Sequence, residues 1–228
     1  MTQLPRPVRR GALPLDTYER HALVARLAAG PERVLDVGGT PGVLALFLGS
    51  SITSVNVEPP ADVLIDGVTL PFPDSSFDAV TSIDVLEHLP REARTAHVAE
   101  LARVASRRVV LCCPLGTDRH VAAERALGEW IERETGAQRR FGAEHLLHGL
   151  PTEAELRSLA AAAPGAFELR FHGDFRRVES LFRAGVRARR SRAALARYAL
   201  RRLRTRPDLA LASEATDFTN RAFLIGMP

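Results

Sequence analysis

Three glycines and three carboxylates early in the chain have the types and spacing to hold a nucleotide. Asp36-x-Gly38-Gly39-x-x-Gly42 follows the apolar run Arg33 to Val37 and leads into a second apolar stretch, Val43 to Leu48. A strand entering a glycine-rich turn and then a helix points backbone N–H groups at an anion, with no Cβ to hold the ligand off. Glu58 comes 22 residues after Asp36, at the tip of the next β-branched run, where a carboxylate can accept from both hydroxyls of a ribose. Asp66-Gly67 follows it. Two other nucleotide signatures are excluded. A G-x-G-x-x-G motif starting at Gly38 needs glycine where Thr40 and Val43 stand, and a P-loop needs a lysine, which the chain lacks altogether.

Two further runs complete an ordered set: Leu70-Pro71-Phe72-Pro73-Asp74-Ser75-Ser76-Phe77-Asp78 and Ile83-Asp84-Val85-Leu86-Glu87-His88-Leu89-Pro90. With them the chain resembles the class I S-adenosylmethionine-dependent methyltransferases, in the subgroup close to the small-molecule enzymes, over about a third of its length, Arg33 to Pro114. The resemblance implies a role for each matching residue. Gly38, Gly39 and Gly42 let the methionine end of S-adenosylmethionine lie on the backbone, and Asp36 faces its amino group through water. Glu58 holds the ribose, Asp66 accepts from the adenine amino group, and Gly67 leaves room for the ring. Ile83 and Asp84 flank the methionine moiety. One departure is Thr40-Pro41, where the family usually has glycine, which we read as a re-shaped turn. The Pro-Pro after Glu58 follows the second strand, whereas adenine methyltransferases carry an Asn/Asp-Pro-Pro-aromatic motif after the fourth, so methylation of nucleic-acid bases is not expected.

The implied activity is transfer of a methyl group to a small-molecule or glycan-like acceptor, with a hydroxyl as the expected position. A hydroxyl acceptor calls for a base, and His88, His145 and Glu144 are the candidates. The Asp84-x-x-Glu87-His88 spacing also admits a metal-binding face if the stretch is helical, but no fourth ligand can be named and no metal is expected. Cys112 and Cys113 are adjacent within an apolar run, which suits core residues better than nucleophiles, a disulfide framework or a zinc site. Two other classes stay in view: a non-catalytic module that binds S-adenosylmethionine, and a nucleotide-dependent oxidoreductase, which the failed glycine pattern disfavours.

The elements that must position these residues follow from periodicity. Leu15 to Ala29 reads as a helix, and Val43 to Leu48 as a second one after the glycine turn. Short strands fall at 33–37, 52–57, 62–65, 77–83 and 109–113, with a helix over 91–105. Alternating strands and helices argue for right-handed βαβ units and an open parallel sheet. Helical segments over 120–134 and from 151 to 164 come next. Late strands at 167–171 and 221–225 bracket an Arg-rich helical stretch. The expected architecture is a Rossmann-like α/β fold in one domain. By resemblance it has seven strands in the order 3-2-1-4-5-7-6, the last antiparallel. Residues 1–32 form an N-terminal helical segment and 33–114 the cofactor-binding core. Residues 115–150 form a substrate lid, and 151–228 the C-terminal half.

Composition bounds the rest. The chain has 228 residues, 46% of them hydrophobic, enough to build a core without disulfides. Met1 to Arg10 is basic with no apolar block behind it, so no secretory signal is expected and the reading is a cytoplasmic, reduced protein. Residues 176–206 hold 12 arginines against the single acid Glu179, a local charge of +11, so with a total of +4 the remainder carries −7. Basic character therefore belongs to one surface. A solvated helical face is the plainest account. Beyond it lies contact with an anionic acceptor or an anionic membrane surface; DNA is not expected, and RNA lacks a stacking module around Phe182 and Tyr198.

Overall fold

The computed structural model describes residues 13–28, 30, 32–136, 145 and 147–228. Seven strands form one sheet: β1 (Arg33–Val37), β2 (Ser51–Asn56), β3 (Val63–Leu64), β4 (Phe77–Ile83), β5 (Ala105–Pro114), β6 (Ala166–Asp174) and β7 (Thr219–Met227). Their order is β3-β2-β1-β4-β5-β7-β6. β1 to β5 pair in parallel, and β7 runs antiparallel to both of its neighbours. The expected order and the antiparallel last strand are both present.

Successive residues of the central strands go to opposite faces, and both faces are buried. Leu35, Val80, Leu111 and Leu224 enter one core cluster, whereas Val34, Ala79, Val110 and Phe223 enter the other. That is why these strands read as continuous apolar runs instead of alternating ones. The second cluster lies under α1 (Leu15–Leu27), through Leu23 and Val24. On the other face α2 (Arg91–Val104) contributes Val98, Leu101 and Val104. α3 (Asp118–Thr135) starts at Thr117, whose hydroxyl accepts from the His120 amide, and stops at Gly136 in the left-handed region, φ 71°. Such paired signals delimit a helix locally. α4 (Glu153–Ala162) precedes β6; α5 (Phe175–Ala188) and α6 (Arg192–Arg204) then form an antiparallel pair before β7.

One expected helix is replaced. The stretch 43–48 makes only a single 3₁₀ turn, Leu44–Leu46. Six residues are too few to meet the cost of helix nucleation, and tertiary packing of Leu44 and Phe47 beneath α1 decides the backbone instead. The two cysteines are buried core residues of β5, and burial pushes the Cys112 thiol up to about 12. No helix among the described residues is long and apolar enough to cross a membrane.

Candidate active site

The glycine turn sits at the carboxyl end of β1, tied to β2 by the Gly38 amide donating to the Val55 carbonyl at 2.7 Å. Gly38 and Gly42 both adopt positive φ, 77° and 85°, which favours glycine. Gly39 is required for another reason. A Cβ there would lie 1.9 Å from Oδ2 of Asp36, so the loop folds directly onto that carboxylate. Asp36 itself is 3% exposed, and its partner is the Thr81 hydroxyl, which donates at 2.8 Å. Burial pushes its carboxyl up to about 6, against which the Thr81 hydrogen bond acts only partly. A cationic group above the loop is what this buried acid lacks.

Along the carboxyl edge of the sheet the remaining candidates take their places. Glu58 is exposed beyond the end of β2, and Asp66 and Gly67 are exposed in the bend after β3. The last residue of β2 is Asn56, whose side-chain amide donates to the Gly38 carbonyl at 3.4 Å, and no sequence signal singled it out. Ile83 is buried in the core cluster under α1. Asp84 has φ 56°, a left-handed conformation that Asp tolerates better than most residues. Its carboxylate accepts from Arg221 of β7 and stands 3.2 Å from Nε of Arg20 of α1. Arg221 also grips Asp16 of α1 with two donors, at 2.8 and 3.1 Å. Burial alone would raise the Asp16 carboxyl, but Arg221 and Arg20 hold it well below the usual carboxylate range. Asp84 therefore belongs to a four-residue ion network with Asp16, Arg20 and Arg221.

His88 and His145 come together. His88 closes the 3₁₀ turn Leu86–His88 after β4, and its ring centroid lies 4.8 Å from that of His145. Nδ1 of His145 donates to Glu124 of α3 at 3.0 Å, leaving its Nε2 buried without a hydrogen-bond partner. Glu87, 1% exposed, has an equally orphaned Oε2. One ligand atom from each of Glu87, His88 and His145 lies within 4.8 Å of the others, so this trio could also hold a metal ion. Glu144 lies outside the described residues.

Arg94 of α2 holds the two histidine-bearing segments in place. Its side chain, fully buried, donates to the Leu89 carbonyl beside His88 and to the His148 and Gly149 carbonyls beyond His145, and it pairs with Glu155 at 2.8 Å. A signal for it existed: Arg94 occupies the same helical stripe as Val98 and Leu101, where a charge is out of place unless paired. Glu124 carried no such signal, being one of several acids on α3. His97 and His120 are core histidines, the former lowered to about 4 by burial. A separate cavity of about 230 Å³ beside β6, lined among others by His172, Asp208 and Thr219, contains none of the candidate site residues.

Residues 35–113 match the family model described as a methyltransferase domain. The comparison with curated proteins found no match. Among solved structures, a SAM dependent methyltransferase from Archaeoglobus fulgidus is 13% identical, with 94% of this chain and 93% of that one covered, at a TM-score of 0.57. Phosphoethanolamine N-methyltransferase 2 of Haemonchus contortus, solved with phosphomonomethylethanolamine and S-adenosylhomocysteine, is 15% identical over 92% of this chain, TM-score 0.57. This chain spans about half of that enzyme, 52%. The [4+2]-cyclase SpnF is 20% identical over 100% of this chain and 87% of its own, TM-score 0.50. These likenesses define the fold as that of the class I methyltransferases. A methyltransferase domain implies S-adenosylmethionine as cofactor, and the residues fit it: a buried acid, a loop whose Gly38 and Gly39 have no room for a Cβ, and open space at Gly67.

That open space gives a clean test. A Cβ at Gly67 would meet nothing within 4 Å. Gly67→Leu is therefore expected to leave the melting temperature unchanged while weakening S-adenosylhomocysteine binding by about tenfold or more in calorimetric titration. Unchanged affinity would remove the adenine ring from this bend.

Proposed function

We propose that this chain transfers a methyl group from S-adenosylmethionine to a hydroxyl of a small-molecule or glycan-like acceptor, with His145 as the base. When bound, the cofactor supplies a methyl group made electrophilic by its cationic sulfur. The chain's own residues do the rest. Asp36 receives the cofactor's ammonium, Glu58 and Asn56 border its ribose, and Asp66 with Gly67 borders the adenine. His88 and His145 face the acceptor. Alignment is the main contribution such a site makes.

The observation that carries the base assignment is the Glu124–His145 pair. A carboxylate holding Nδ1–H fixes the tautomer and leaves Nε2 as a lone-pair acceptor, while supporting the imidazolium that forms. Nε2 is buried with no hydrogen-bond partner among the described residues. Arg94 keeps it beside His88. Labelled cofactor incubated with a metabolite extract should yield a labelled methyl ether. His145→Gln should lower that turnover by about 10²–10⁴-fold and leave S-adenosylhomocysteine affinity unaltered. Full turnover by the variant would exclude the base. Cofactor binding without any transfer would make the chain a non-catalytic module, a real alternative given that this scaffold also serves a cyclase.

The orphaned Glu87 Oε2 favours a second reading, in which Glu87, His88 and His145 hold a divalent cation that positions the acceptor oxygen. Ligand atoms around a tetrahedral zinc stand roughly 3.3 Å apart, so the trio would have to close by up to about 1.5 Å, and the base reading comes first. Cobalt(II) titration separates the two: ligand-field bands lost in His88→Ala would favour the cation.

A further inference from the structure

We propose that the α5–α6 hairpin is a docking element for an anionic bilayer, with the outward face of α6 lying in the headgroup region. No residue of α6 is buried. At 3.6 residues per turn, Leu195, Ala196, Ala199, Leu200 and Leu203 share an arc of about 140°, with Arg192 at its amino-terminal end. The leucines are uncovered: Leu203 is 84% exposed, Leu195 55% and Leu200 48%. The opposite face is the packed one, where Tyr198 lies 3.5 Å from the position a Cβ would take on Gly185 of α5.

Charge is sorted in the same way. The arginines of α5 and the turn after it are largely compensated: Arg176 by Asp174, Arg177 by Glu19, Arg183 by Glu179, and Arg187 and Arg190 by Glu134. The +11 seen in the sequence is thus partly cancelled by three acids outside the segment, Asp174, Glu19 and Glu134. α6 contains five arginines and no acid. Arg189, Arg192, Arg197 and Arg204 form no ion pair among the described residues. Uncompensated charge and exposed leucines therefore coincide on one helix. A helix that merely faces water has no need of three uncovered leucines, and one that packs on protein would bury them. A leucine face edged by arginines matches an interfacial helix on anionic lipid.

Co-sedimentation with phosphatidylglycerol-containing vesicles tests the idea, with pure phosphatidylcholine vesicles as control. The expected result is binding to the anionic vesicles alone, weakened by added salt. Leu195, Leu200 and Leu203 changed together to Ser should reduce partitioning by more than about tenfold, as should Arg192, Arg197 and Arg204 changed to Gln. Because these side chains are exposed, both variants should keep the wild-type melting temperature and S-adenosylhomocysteine affinity, so failure here is distinct from failure of the cofactor site. No vesicle binding by the wild-type chain would overturn the proposal. So would loss through the arginine set alone with equal binding to RNA, which makes the helix a polyanion surface. A dimer that the leucine variant dissociates, without vesicle binding, would assign the face to a second copy.

Discussion

Arg221→Met is expected to destabilise the fold by about 3–5 kcal/mol, the scale for breaking a buried charge cluster by removing one partner. In a chain of this length that corresponds to a drop of roughly 10 °C in melting temperature. Arg221 is 7% exposed and joins α1, β4 and β7 by bonding Asp16 and Asp84 together. Without it the two carboxylates share only Arg20. The pH dependence gives the diagnostic. In the native chain the lowered Asp16 carboxyl contributes stability that is present above the ordinary carboxylate value and lost only as pH falls below it. In the variant the unpaired carboxylates repel, and protonation relieves them. The gap between the two proteins should therefore narrow as pH falls from 7 toward 4 in denaturant titrations. A gap that stays constant over that range would mean that packing, and not the ion network, accounts for the loss.

Asp36→Asn should separate stability from binding. The native carboxyl is buried and raised to about 6 from an ordinary value of 3.8. The folded state thus holds this proton more tightly than the unfolded chain, so ionisation costs stability as pH rises through about 4 to 6. The full cost at neutral pH is about 3 kcal/mol. Asparagine keeps an oxygen for the Thr81 hydroxyl and carries no charge. The variant is expected to gain up to that amount at pH 7.5 and little at pH 4. Its affinity for S-adenosylhomocysteine should fall by about 1.5–3 kcal/mol, the range of a charge-assisted hydrogen bond. Native affinity should also strengthen with pH through about 6, as Asp36 ionises to meet the ammonium, and the variant should lose that dependence. If the variant binds as tightly and with the same pH profile, Asp36 does not face the cofactor.

Such a trade is expected where a carboxylate is kept in the core for a ligand. Strain and unsatisfied charge persist at functional sites because the rest of the fold over-determines them. Gly39, which cannot carry a Cβ without striking Asp36, belongs to the same device. The loop covers the acid, and a bound ligand's ammonium would compensate its charge.

The sequence by itself determined the strands of the sheet and its glycine turn. Apolar runs of strand length, glycines at turns, Asp36 in β1 and Glu58 beyond β2 are local signals, and local backbone chemistry decides them. Hence the glycine turn after β1 was readable before any contact was known, whereas the strand order came from the resemblance. Helix over 43–48 failed because an apolar stretch of that length carries no nucleation signal of its own. Tertiary structure alone decided the partners. Asp84 meets Arg221 across 137 residues, Arg94 meets Glu155 across 61, and Arg190 meets Glu134 across 56. His145 finds Glu124 across 21 residues, from a different element. Charge pairing depends on distance in space, whereas residue spacing constrains only neighbours on one helix or strand. Composition could therefore locate the basic segment, but only packing could show that Arg192, Arg197 and Arg204 of α6, beside the uncovered leucines, form no ion pair among the described residues.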